Sequence, residues 1–145
     1  MSGDLPARFQ AAKAAGDPSG LAEAIPYAKF IGVRFAIVDG QLTATLAYSP
    51  HLIGNPMLPA LHGGVIGAFL EHTALTHLMW DADTPEVPKT VDVTIDYLRS
   101  GRPVDTHARA TITKHGRRVA NVRAEAWQDD AAKPIAALHG HFLLR

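Results

Sequence analysis

The chain has 145 residues, the length of one ordinary domain and enough to bury a core without covalent staples. At 47% hydrophobic and 19% charged residues its composition is globular rather than disordered. Lys+Arg and Asp+Glu both number 14, so zero net charge gives no footprint for nucleic acid or an anionic membrane; Cys is absent, which removes disulfides, cysteine nucleophiles and thiolate metal sites.

Residues 1–27 read as a helical lead-in and residues 28–145 as a single domain. Asp4 is the candidate N-cap of a first helix, Pro6 falls in its first turn, and Ala-rich sequence runs to Ala15. Gly16-Asp17-Pro18 breaks it, and residues 19–24 form a further helical turn. Residues 33–38 read as a strand, Asp39-Gly40 as a hairpin turn, and residues 42–48 as the returning strand. A loop rich in Gly and Pro covers residues 49–61.

Residues 63–80 are apolar on nearly every face, the pattern of a helix buried on most sides. This segment carries Glu71, His72 and His77, which argues against a membrane span. After a loop with Pro85 and Pro88 come strand patterns at 90–98, 106–113 and 119–127, and a last strand from 134 or 135 to 144. The order is α+β: an antiparallel sheet and one central helix.

The chemistry concentrates around that helix. Gly63 and Gly64 open it, so free backbone N–H groups stand at its positive end with no side chain to block approach. This is the arrangement of an oxyanion hole. Glu71 has no Lys or Arg at helical spacing, and a lone carboxylate on an apolar helix is costly to bury, so function or solvent contact is favoured over a pair. Glu71 follows Gly63 by eight residues, about 12 Å along the axis and rotated by roughly 80°. One side chain cannot span that distance. If both groups serve one reaction, the helix end comes from a second copy, and a two-fold dimer with antiparallel helices makes two equivalent sites.

His62-Gly63-Gly64 with an acidic residue nine positions after the His, preceded by Gly54-Asn55-Pro56, resembles the hotdog-fold thioesterases of the phenylacetic-acid-degradation type. The strand ending Tyr97-Leu98-Arg99 and the turn Lys114-His115-Gly116-Arg117-Arg118 are similar to that family's strand after the helix and its CoA-bordering turn. The resemblance covers about residues 28–144. It implies a hotdog fold, an antiparallel sheet wrapped around one long central helix. It implies that Gly63 or Gly64 N–H polarises a thioester carbonyl and that Glu71 of a partner subunit acts as general base or nucleophile. By the same resemblance Asn55 orients water or the carbonyl, Thr90 stands beside the carboxylate, and His62 shapes the loop near the carbonyl. Arg99, Lys114, Arg117 and Arg118 are the candidates for CoA phosphates, for which Arg offers bidentate bonds.

The expected activity is hydrolysis of an acyl- or aryl-CoA by a cytoplasmic homodimer or homotetramer. It needs no cofactor beyond the CoA of the substrate, no metal, no nucleic acid and no membrane. Met57, Leu58, Phe69, Leu75, Leu78 and Met79 are candidates for an apolar acyl pocket. His72 and His77 do not form the His-Glu-x-x-His zinc pattern, and His139 and His141, on one strand face, are weak metal candidates. Trp80 and Trp127 read as core or interface residues. Two other classes use such a groove: an acyl-thioester dehydratase or hydratase, and a non-catalytic acyl-CoA-binding module. In the dehydratases the acid follows Asn-Pro by far less than the sixteen residues between Asn55 and Glu71.

Overall fold

Residues 5–82, 84 and 86–145 are described by a computed structural model; Asp4 and Pro85 lie outside them. The lead-in is helix α1 (Leu5–Ala15), closed by Gly16 at φ +66, then a 3-10 turn over Leu21–Ala24. Its apolar residues Phe9, Leu21 and Ala22 are buried in the same core as the rest of the chain. A helix absent from the sequence reading follows, α2 (Pro26–Ile31). It carries its own punctuation, Pro26 at the start and left-handed Gly32 at the end, where the Gly32 N–H bonds the Ala28 and Lys29 carbonyls.

β1 (Val33–Val38) and β2 (Gln41–Leu46) form the expected hairpin, turning through Asp39 and Gly40, both at positive φ. β2 stops at Leu46 rather than Tyr48 because the next amides leave the ladder. Ala47 N–H bonds Gly32 O, and Tyr48 N–H bonds the Asp105 carboxylate at 2.7 Å. The expected loop contains a small two-stranded ribbon, β3 (Ile53–Asn55) with β4 (Ala60–Leu61).

α3 (Gly63–Asp81) is the long central helix. β5 (Lys89–Tyr97), β6 (Thr106–His115), β7 (Val119–Trp127) and β8 (Ala136–Leu143) complete a six-stranded antiparallel sheet in the order β1-β2-β6-β7-β8-β5. The sheet face under α3 is rich in alanine: Ala108, Ala120, Ala124, Ala126 and Ala136 are all buried. Small residues let the helix lie close, and Phe69, Leu70, Ala74 and Leu78 fill the contact with no exposed surface. Truncating a buried aromatic such as Phe69 to Ala costs about 3–5 kcal/mol. The architecture is therefore a hotdog arrangement, a sheet wrapped on one helix. No helix among the described residues is long and apolar enough to cross a membrane.

Two features of the single chain remain open. The stripe Val65, Ala68, His72 and Leu75, at heptad-like spacing on α3, is only half-buried. β5 is an edge strand and leaves Val91, Val93 and Tyr97 exposed, as is Leu98 just after it.

Candidate active site

The helix start is fixed by His62, whose extended backbone makes it the N-cap of α3. Its Nδ1 accepts the Gly64 N–H at 2.9 Å, which leaves the proton of the neutral ring on Nε2. Its carbonyl accepts the N–H groups of Val65 and Ile66. Among the described residues the Gly63 N–H has no acceptor, so the free donor at this helix end is that of Gly63, not Gly64. The ring of His62 also explains Gly64: a Cβ there would lie 2.9 Å from Cε1. Gly54 makes room for the backbone of the same residue, since its Cβ would lie 2.8 Å from the His62 Cα. At Gly63 a Cβ would meet only the Tyr97 ring, at an ordinary 3.5 Å. No close contact among the described residues demands glycine there.

Tyr97, at the end of β5, reaches the same turn, and its hydroxyl donates to Gly63 O at 2.7 Å. In the sequence Tyr97 stands out only as part of the strand signature Tyr97-Leu98-Arg99. Asn55 lies on β3, with Oδ1 accepting the Met57 N–H at 2.9 Å in an Asx turn. Its amide nitrogen stays exposed.

Glu71 lies two turns further along α3. Its Oε2 accepts the hydroxyl of Thr90, at 2.6 Å. That contact depends on a bulge in β5. Ile95 and Tyr97 face α3, where they pack on Gly67 and Gly63. Strict alternation would turn Thr90 to the opposite face. The register with β8 shifts between Thr90 and Asp92, so Val91 is the extra residue and Thr90 swings back toward the helix. His72, beside Glu71, is held below its ordinary imidazole pKa by burial, against the pull of the neighbouring carboxylate.

The basic candidates divide. Arg117, Arg118 and Arg145 line one open concavity. Leu144 N–H bonds Arg118 O at 2.7 Å, which ties the C-terminal residues to the β6–β7 turn. His115 pairs with Ala120, Ala120 with Phe142, and Phe142 with Thr90. Lys114, Arg117, Arg118 and Arg145 thus stand at the Glu71–Thr90 end of the sheet. Arg99 does not join them. It lies two residues past the Tyr97 end of β5, at the opposite end of that strand from Thr90, lining a hollow with Gly63, Ile66 and Tyr97. Its Nη1 donates to Pro134 O.

The chain therefore holds two half-sites, at opposite ends of β5 and at the start and the middle of α3. One has His62, Gly63, Tyr97 and Arg99; the other has Glu71, Thr90 and the basic turn. Of the expected pocket wall, Phe69, Leu78 and Met79 are instead core, Leu75 is half-buried, and Met57 and Leu58 are exposed. The helix core claims the first three because their faces meet the sheet. His139 and His141 lie on the outer sheet face, where His141 Nδ1 meets Asp92 at 2.7 Å. No group of residues able to hold a metal is found among the described residues.

Comparison with known proteins adds the lineage. A family model described as the thioesterase superfamily matches residues 58–135, just over half of the chain and inclusive of Gly63, Glu71, Thr90 and the basic turn. The chain belongs to the thioesterase superfamily. Several solved structures resemble this superfamily member. A protein from Chromobacterium violaceum is 42% identical with a TM-score of 0.78, over 95% of this chain and 96% of that one. A phenylacetic acid degradation-related protein from Ralstonia eutropha is 23% identical with a TM-score of 0.72, over 82% and 89%. A protein from Bacillus halodurans solved with CoA is 22% identical with a TM-score of 0.69, over 81% and 74%. At such identities the last two speak for the fold shared across the superfamily. No functionally curated protein matches the chain.

Proposed function

We propose that this chain is a cytoplasmic acyl-CoA thioesterase of the phenylacetic-acid-degradation type, working as a homodimer or a multiple of one. The observation that carries the reading is the division into complementary halves: an unengaged Gly63 N–H at the start of α3 and, at the middle of the helix, a carboxylate held by Thr90. An antiparallel pairing of β5 with β5 of a second copy, about a two-fold near Val93, brings the Thr90 end of one strand to the Tyr97 end of the other. It also covers an exposed edge and sets the half-buried stripes of the two helices together. Each completed site then has a donor for the carbonyl and a carboxylate for attack.

In that site the Gly63 N–H, at the positive end of a 19-residue helix, stabilises the developing oxyanion, a contribution of about 3–4 kcal/mol. The Thr90 hydroxyl fixes one Glu71 oxygen and leaves the other for chemistry. Acting as base, Glu71 takes a proton from water as it adds to the carbonyl, and returns it to the departing CoA sulfur. Acting as nucleophile, it adds to the carbonyl and expels the CoA thiolate as the C–S bond breaks, leaving an acyl anhydride that water opens to the free acid and Glu71. Single turnover in ¹⁸O water separates the two, since only the second route can leave label in Glu71. Lys114, Arg117, Arg118 and Arg145 offer unpaired charge to the CoA phosphates at the Glu71 end, and Asn55, with its amide free, orients water or the carbonyl. The Bacillus halodurans neighbour bound to CoA supports this ligand class.

The test is thiol release from a panel of short, medium, long and aryl acyl-CoA thioesters, with Glu71→Ala in parallel. Turnover that falls at least about a hundredfold in the variant, with binding retained, is expected. Binding without thiol release from any member would instead favour a hydratase or an acyl-CoA-binding module.

A further inference from the structure

We propose that Tyr97 is a positioning residue that aims the Gly63 N–H at the substrate carbonyl. The inference rests on the thioesterase reading for its kinetic consequence and on the geometry of the helix start for its cause. A helix that opens with two glycines is prone to fray, because glycine loses the most conformational freedom on ordering. A donor that stabilises an oxyanion works only when its direction is set before the reaction. The first turn of α3 therefore needs ties from outside the glycines themselves.

Three such ties exist. His62 Nδ1 holds the Gly64 N–H, and His62 O holds the amides of Val65 and Ile66. The third comes from a distant part of the sequence, the Tyr97 hydroxyl on Gly63 O at 2.7 Å. This is the tie that acts on the carbonyl of Gly63 itself. His62 O holds the peptide before Gly63, and His62 Nδ1 and the Tyr97 hydroxyl hold the N–H and the C=O of the peptide after it, so both torsions of this glycine are fixed.

The phenol has a shaped seat. Its ring lies 3.5 Å from where a Cβ of Gly63 would be, and its hydroxyl 3.5 Å from where a Cβ of Gly67 would be. At Gly67 an added Cβ would meet Ile95 Cδ1 at 2.7 Å, so the bare glycine lets Ile95 and the Tyr97 hydroxyl lie close on the helix. Tyr97 touches the donor's residue, not the substrate carbonyl, and so acts through Gly63.

The deciding variant is Tyr97→Phe, which keeps the ring in its seat and deletes only the hydroxyl. Two readouts are needed. The first is steady-state hydrolysis of the best acyl-CoA: kcat is expected to fall about five- to tenfold with KM within about twofold and the melting temperature nearly unchanged. The second is the infrared stretch of a ¹³C-labelled thioester carbonyl bound to chains carrying Glu71→Gln, where turnover is blocked. Polarisation by Gly63 lowers that frequency, and adding Tyr97→Phe is expected to move it back toward its value in water. Unchanged kcat and an unchanged carbonyl band in Tyr97→Phe would overturn the proposal. So would a kcat loss matched by lost stability with the band still shifted. If the wild type hydrolyses no thioester, the thioesterase reading fails on its own, and the band still decides Tyr97.

Discussion

Gly63 and Gly64 are adjacent, yet they are glycine for different reasons. Gly64 makes room for the His62 ring, and its N–H is consumed by that ring. Gly63 meets no such constraint, so its bareness serves something outside the chain. Proline separates the two roles. Gly63 is the first helical residue, where proline is well tolerated, it is not at positive φ, and His62 already has the extended backbone that precedes proline. Gly63→Pro is expected to lower kcat about a hundred- to a thousandfold while leaving the melting temperature equal or higher. Thermal melts and thiol release on the same preparations check it; full activity would remove Gly63 from the mechanism. At this scale the residue types of the site were legible because glycine, histidine and an isolated carboxylate at fixed spacing carry chemistry in themselves. Tyr97 was not, because its partner lies 34 residues away and only the fold sets them together. The choice between Gly63 and Gly64 was equally hidden, since it turns on which N–H a ring nitrogen takes.

The β6–β7 turn is an element whose sequence promised charge and whose position gives that charge a use. Arg117, Arg118 and Arg145 line one concavity, and none of the ion pairs found among the described residues involves them. Like charges gathered without a counter-charge favour an anion. Replacing Arg117 and Arg118 by Ala is expected to raise KM for CoA thioesters about ten- to a hundredfold, with kcat little changed. The same variant is expected to treat a phosphate-free N-acetylcysteamine thioester like the wild type. Equal loss on both substrates would make the turn structural instead. Arg145 was missed because a final residue has no motif around it; the tie from Leu144 to Arg118 is what brings it in. α2 went unread because six residues are too short for periodicity to register, although Pro26 and Gly32 mark its ends. The β3–β4 ribbon was hidden for the same reason, with a two-residue strand inside a stretch of glycine and proline.

On the scale of the whole molecule the main expectation is that activity belongs to a pair of chains. A Glu71→Gln chain and a Gly63→Pro chain should each be nearly inactive alone. Unfolded and refolded together, half of the resulting dimers are mixed, and each mixed dimer has one intact site. About a quarter of wild-type activity should return. A solution mass of one chain, or no recovery on mixing, would mean that the halves are never joined. Stability should also carry a signature of the helix interior. Burial holds both His72 and His77 below the ordinary imidazole pKa, against the pull of Glu71 and Asp81, and His77 Nδ1 is buried without a partner. The unfolded chain then binds more protons than the folded one below about pH 6.5, so stability rises with pH up to that point and is lost as pH falls toward the lowered values. Denaturant melts from about pH 5 to 8 should show this slope. Replacing both histidines by Gln should flatten it; an unaltered slope would place the protons elsewhere. The sequence made the helix and sheet legible because their periodicities are strong. It made the need for a second chain legible through a length, eight residues of helix that no side chain can cross.

The bulge at Val91 gives β5 two reading frames. Thr90 is placed in one, and Ile95 and Tyr97 in the other, yet all three face α3. A strand of the same sequence paired with β8 without that bulge would still bury its apolar side. It could present the tyrosine to the helix or the threonine, but not both. The bulge is thus a punctuation mark that keeps the carboxylate end and the carbonyl end in phase on a single strand, since the odd spacing from Thr90 to Tyr97 would otherwise divide them between its two faces.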